Sequence, residues 1–118
     1  IELKETIKII EKISISDDSI VLSGGSENVF VVSIPDYGVT PYGNSNSEII
    51  ALELDQYNAH MESRCKEMAI PFIDVTSISR ELGSDNGALA TDNLHPSGLQ
   101  YSYWVEAIYF EVTSLLNK

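Results

Sequence analysis

The stretch Val29-Phe30-Val31-Val32-Ser33-Ile34 runs straight into Pro35 and a segment crowded with turn formers, PDYGVTPYGNSNS, residues 35–47. An uninterrupted apolar run of this length, rich in β-branched residues, reads as a strand buried on both faces, as in a parallel sheet. Pro35 has no backbone N–H and ends it. PFIDV, residues 71–75, reads as another short buried strand. Between the two, Ile50, Leu54, Tyr57, Met61, Cys65 and Met68 step by three or four, the apolar stripe of a helix over 47–69. Strand, helix and strand in this order make the unit of a parallel sheet, whose right-handed crossover puts the loops after both strands on one edge.

Outward from this unit, Leu3, Ile7, Ile10 and Ile13 recur at helical spacing with charged residues between them, so residues 2–14 read as an amphipathic helix. SISDDS, residues 14–19, is a polar break, and IVLSG, residues 20–24, is a weaker strand candidate. A short helix over 76–83 is ended by Gly83, and SDNGALATDN is loop. Ser97 and Gln100 fit a capping box, S-x-x-Q, that opens a last helix. Its predicted buried face is Tyr101, Trp104 or Val105, Ile108, Val112 and Leu115. The order α-β-α-β-α places residues 1–118 in one α/β domain without repeats. Two parallel strands apolar on both faces do not make a stable sheet alone. Either further strands go unrecognised or the rest of the sheet lies outside this chain; the opening IELKETIKII, with no methionine, favours the second and fits removal of a signal peptide or an upstream segment.

The chain has 118 residues and carries 18 Asp and Glu against seven Lys and Arg, a net charge of −11. That balance opposes binding to nucleic acid phosphates and to anionic membrane surfaces. The single cysteine, Cys65, excludes an internal disulfide and a multi-cysteine zinc site, and it falls on the apolar helical stripe. No apolar run is long enough to span a bilayer and no signal peptide is visible, so the compartment is left open.

Chemistry concentrates in TDNLHPSGLQY, residues 91–101. Asp92 stands three residues before His95, one of only two histidines. Pro96 holds the His95 backbone extended and outside the following helix. At this spacing Asp92 reaches one ring nitrogen, Nδ1, and the other, Nε2, stays open to take a proton from a nucleophile. In parallel α/β proteins such groups gather in the loops after the strands. Asp36, Tyr37, Thr40 and Tyr42, in the first of these loops, are candidate substrate contacts. Asp36 also suits a turn, Asp74 a hydrogen-bonded structural role, and His60 a solvated position off the helical stripe. His60 and Glu62 form H-x-E, but no Pro-Cys-x-x-Cys segment follows to complete a deaminase zinc site.

The block DNLHPSGLQYSYW resembles the last signature block of the SGNH hydrolases, the GDSL-type esterases and lipases, in which Asp-x-x-His is followed by Pro and an aromatic-containing helix. SIPDYGVTPYG, residues 33–43, is similar to a strand-and-loop segment of bacterial members, and the likeness covers nearly the whole chain. The family often has Gly after the Asp; Asn93 stands here. The resemblance implies a three-layer α/β/α, flavodoxin-like fold with a parallel sheet, and ester hydrolysis through an acyl-serine with no cofactor and no metal. By position it implies that His95 is general base and then general acid, and that Asp92 orients it.

The family's nucleophilic Ser in a GDS motif and its oxyanion-hole Gly and Asn have no match in this chain. SGGSE, residues 23–27, is not GDS, and there is no G-x-S-x-G elbow. Ser26, Ser33 and Ser97 read as turn, strand-end and cap residues. The expectation is a downstream part of a hydrolase domain, inactive alone. It would associate through the exposed edge of VFVVSI with the upstream half or with a copy of itself. The alternative is a non-catalytic module whose loops at 35–47 and 91–97 hold a ligand or carbohydrate.

Overall fold

The computed structural model describes residues 23–117, so the predicted helix over 2–14, the polar break and most of IVLSG lie outside the described residues. Of IVLSG, Ser23 and Gly24 are described and neither is strand: Ser23 is helical and Gly24 lies in a turn at φ +92°. The elements that follow are β1 (Val31–Val32), α1 (Ser47–Glu67), β2 (Phe72–Ile73), α2 (Thr76–Leu82) and α3 (Gly98–Leu116). The chain is mixed helix and strand, and β1 pairs with β2 in parallel, Val31 opposite Phe72 and Val32 opposite Ile73. Val31 N–H donates to Pro71 O and Ser33 N–H to Ile73 O, each at 2.9 Å. The connection from β1 to β2 runs through α1, as the apolar stripe requires: Ile50, Leu54, Met61 and Cys65 are all buried. Val31, Met61, Cys65 and Ile70 form the core, with Val29, Met68 and Phe72 packed on it. Burial raises the Cys65 thiol above its ordinary value, with the nearby Glu62 adding to the effect, and makes it a packing residue.

The ladder stops at Ser33, because Pro35 cannot continue it, and side chains take over. Asn58, on α1, accepts Ile34 N–H at 2.8 Å and donates back to Ile34 O at 3.2 Å. Ser33 Oγ accepts Val75 N–H at 2.8 Å and Thr76 N–H at 2.9 Å, which caps the start of α2 from across the sheet. Thr76 Oγ1 lies 2.6 Å from Ile34 O, and Asn58 donates to it at 3.0 Å. Asp74 accepts Ser77 N–H at 3.0 Å, the structural role read for it. Its partial burial would raise its carboxyl, but hydrogen bonds from Ser77, Ser33 and Thr76 outweigh that and hold it below the usual range. Gly83 ends α2 at φ +62°, the left-handed conformation that glycine adopts without a steric cost.

Two expectations about burial are corrected. β1 is not covered on both faces: Val31 is buried, but Phe30 is 42% and Val32 36% exposed. Alternation puts Val31 and Phe72 toward α1, and Val32 and Ile73 on the other face. There α3 lies chiefly against β2 and α2, so Ile73 is 4% exposed while Val32 is not covered. On α3 the predicted inward side holds from Trp104 onward and fails at Tyr101. Gln100 is its buried residue, with Trp104, Ile108, Val112 and Leu115 half-buried, while Tyr101 and Val105 are exposed. No helix among the described residues is long and apolar enough to cross a membrane.

Met61 is 3% exposed at the centre of the core. Met61→Ala is expected to cost about 2–5 kcal/mol, read as a lower urea midpoint with an unchanged slope. Ile49→Ala, on the same helix but 59% exposed, should change stability by no more than about 0.5 kcal/mol.

Candidate functional site

Asp92 and His95 sit in the turn of a short hairpin that lies between α2 and α3. Its stems are tied by an antiparallel bridge between Leu89 and Pro96, by Ala90 N–H to His95 O at 2.8 Å and by Ser97 N–H to Ala88 O at 2.9 Å. Within the turn, Asn93 N–H donates to Ala90 O at 3.0 Å, and Asn93 itself has φ +60°. That conformation is disfavoured for most side chains, and asparagine tolerates it better than most. Asn93 thus holds a backbone geometry that glycine would also provide.

Asp92 Oδ1 accepts the N–H groups of Leu94 and His95, each at 3.0 Å. These bonds aim the second oxygen, Oδ2, at His95 Nδ1, 2.5 Å away. With the ring neutral, Nδ1–H donates to Asp92, and Nε2 is an acceptor. The His95 side chain is 69% exposed, and Nε2 has no partner among the described residues. The hydrogen bond from His95, with the backbone bonds from Leu94 and His95, holds the Asp92 carboxyl down at about 2. The sequence-predicted pair is thus brought together, in the orientation that leaves one ring nitrogen available.

In the first loop Asp36 makes the turn that its sequence suits and adds a tie to α2. Asp36 is 4% exposed, with Oδ1 accepting Gly38 N–H at 2.7 Å and Oδ2 accepting Arg80 Nε–H at 2.8 Å. Its backbone N–H donates to Ser79 Oγ at 2.8 Å. Asp36 therefore anchors the loop to α2, and Arg80 shares its charge with Asp55 on α1, also at 2.8 Å. Thr40 is buried and closes a turn, with Oγ1 donating to Tyr37 O at 2.6 Å. Gly38 packs close to α1: a β-carbon there would stand 3.1 Å from Ile50 Cγ2. Tyr37 and Tyr42 are exposed, Tyr42 at 73%.

The two loops meet. Asp36, Tyr37 and Thr40 share a pocket of about 40 Å³ with Leu94, Pro96 and Gln100, next to His95 in the chain. Tyr42, Asp92 and His95 do not line it. Arg80 and Gln100 are the residues that sequence reasoning missed. Arg80 is a cation in a strongly acidic chain, which was a usable signal. Gln100 was read as half of a capping box, but only the other half forms: Ser97 Oγ accepts Gln100 N–H at 3.2 Å, while the Gln100 amide turns to Ala88 O, 2.9 Å away. Ser97 N–H is already bonded to Ala88 O and needs no second acceptor. His60 is half-buried on α1. No three of the described His, Cys, Asp and Glu residues are grouped to hold a metal ion.

Comparison with protein-family models, with curated proteins and with solved structures finds no match to this chain.

A carboxylate held low stabilises the fold above its unfolded value of about 3.9. That contribution is lost as pH falls through the folded value of about 2. A side-chain NMR titration of Asp92 should have its midpoint near 2 rather than at the ordinary 3.8. His95→Ala should move it upward, though not fully, because the Leu94 and residue-95 N–H bonds remain.

Proposed function

We propose that this chain carries the acid–histidine part of a serine ester hydrolase of the SGNH, GDSL type. In this reading it forms part of a three-layer α/β/α, flavodoxin-like domain whose nucleophile and oxyanion donors lie outside these 118 residues. The observation that carries the reading is the Asp92–His95 pair: Nδ1 at 2.5 Å from a carboxylate fixed by two backbone N–H groups, with the ring otherwise exposed. The pair lies between β2 and α3, beyond the short helix α2, on the stretch that leads on from the second parallel strand, and such folds gather their chemistry beyond strand ends.

The chemistry follows from the proton positions. A serine Oγ attacks the ester carbonyl, and its proton passes to His95 Nε2. The imidazolium is stabilised by Asp92, which stays ionised. Nε2 then returns the proton to the departing alcohol, leaving an acyl-serine. Water enters, gives a proton to Nε2 and attacks the acyl carbon, and the proton goes back to the serine as the acid leaves. The chain alone has neither nucleophile nor oxyanion hole for this sequence, so it is inactive by itself.

The partner in this reading is the upstream part of the same domain. β1 is bonded on one edge only, to β2, among the described residues, and Phe30 and Val32 are exposed beside it. An added strand would use that edge and cover that face. Two copies of this chain, each at −11, repel one another and make the less favourable occupant. The alternative, a ligand held where the two loops meet, is disfavoured by the space there. The pocket shared by the two loops is about 40 Å³, against roughly 300 Å³ or more for a small-molecule site.

The test is fluorophosphonate labelling and ester hydrolysis. The 118-residue chain should take no label and show no turnover. The intact gene product that contains it should be labelled on a serine outside it. There His95→Ala should lower kcat by roughly 10⁴–10⁶-fold and Asp92→Asn by about 10⁴-fold. Unimpaired hydrolysis in His95→Ala, or a label on a serine of this chain, would sink the reading.

A further inference from the structure

Gln100 is 2% exposed, the one buried residue of α3. Its amide Nε2 donates to Ala88 O at 2.9 Å, and the same carbonyl accepts Ser97 N–H at 2.9 Å. Ser97 in turn accepts Gln100 N–H and bonds through its hydroxyl to Gly87 O. One side chain on a helix thus ties the first stem of the hairpin at Ala88 to the second at Ser97, and both to the start of α3. From that knot the stems run through the Leu89–Pro96 bridge and the Ala90–His95 bond directly to the Asp92 turn.

The amide orientation is fixed, since a flipped Gln100 would set its oxygen against Ala88 O. The remaining oxygen, Oε1, is buried without a hydrogen-bond partner among the described residues. Leaving a buried acceptor in that state is unfavourable. An apolar side chain of the same shape, such as methionine, would avoid the cost and fill the same space. What it would lose is the donor to Ala88. Gln100 also lines the pocket shared with Asp36, Tyr37 and Thr40, so its side chain stands between the two loops that follow the strands.

We infer that Gln100 is a positioning residue: through Ala88 it fixes the hairpin register that holds Asp92 against His95. The catalytic meaning of this role rests on the proposed hydrolase reading; the positioning itself does not. Gln100 touches no reacting group. It acts by restricting the stems, so that the Asp92 turn presents its oxygen to Nδ1 rather than sampling other arrangements.

The experiment compares the 118-residue chain with its Gln100→Met and Gln100→Glu variants by NMR, reading the Asp92 titration and the His95 Nδ1–H resonance. In Gln100→Met the Asp92 midpoint should move from about 2 up toward 3.8, and the Nδ1–H signal should exchange faster with water. In Gln100→Glu the buried carboxyl is still protonated at pH 2–4, since an ordinary glutamate titrates at about 4.3 and burial raises it. It can then donate to Ala88 O, so the Asp92 midpoint should return to near its original value. A residue with only a structural role would lower the melting temperature of Gln100→Met and leave the Asp92 midpoint in place, which overturns the inference. If Gln100→Met does not fold, Gln100→Glu decides alone. Its Nδ1–H signal should be protected while the new carboxyl is protonated and lose protection once it ionises; protection unchanged across that step overturns the inference. The hydrolase reading fails separately, on the activity of His95→Ala in the intact gene product.

Discussion

Everything downstream of β1 depends on how the chain satisfies its backbone where the ladder ends. Pro35 removes the donor that would have extended β1, and two peptide groups at Ile34 are left near the core with no strand to bond. Asn58 takes both, reaching across from α1. The Ser33 hydroxyl meanwhile receives the two N–H groups that open α2. A buried polar group without a partner would cost about 1–3 kcal/mol, so this junction is a requirement of the crossover and not an addition to it. It also fixes the direction in which both loops leave the sheet. The first is then held by Asp36 to Arg80 and Ser79 on α2, and the second begins where α2 ends.

From that base the hairpin needs one long-range tie, the Gln100 amide to Ala88 O. Its stems are short and its turn is closed by local bonds, two of them to one oxygen of Asp92. The first loop and the hairpin meet at Leu94, Pro96 and Gln100. Position at the strand ends therefore comes from the core, through α1 and α2, while orientation of the acid comes from the turn.

Much of this was legible in the residues. VFVVSI, the stripe from Ile50 to Cys65 and PFIDV gave the parallel pair and its crossover, because a periodic apolar pattern survives any detail of packing. Asp92 and His95 were legible because their contact is local, within one turn. Burial was less so. The continuous apolar run predicted two covered faces for β1, but coverage depends on which elements reach that face, and α3 reaches β2 instead. Gln100 and Asp36 were read only in part, for a common reason. Each has a local partner that explains it, a cap for one and a turn for the other, and each makes its decisive bond to a distant segment, Ala88 or Arg80. Local spacing cannot reveal such a bond.

The exposure of the pair has its own logic. An ion pair in water contributes little to stability, so the contact between Asp92 and His95 cannot be what holds the turn together. The turn is held by backbone bonds: Leu94 and His95 N–H to Asp92, Asn93 to Ala90 and Ala90 to His95 O. None of these involves the imidazole ring. The ring can gain or lose a proton on Nε2 while the acid stays aimed at Nδ1, because the acid is oriented by peptide groups that do not titrate. A buried pair would be coupled to the fold, and each change of charge would be resisted by the surrounding core. Here the scaffold and the ring are separated at the Cβ of His95, which is the arrangement the proposed proton-carrying role requires.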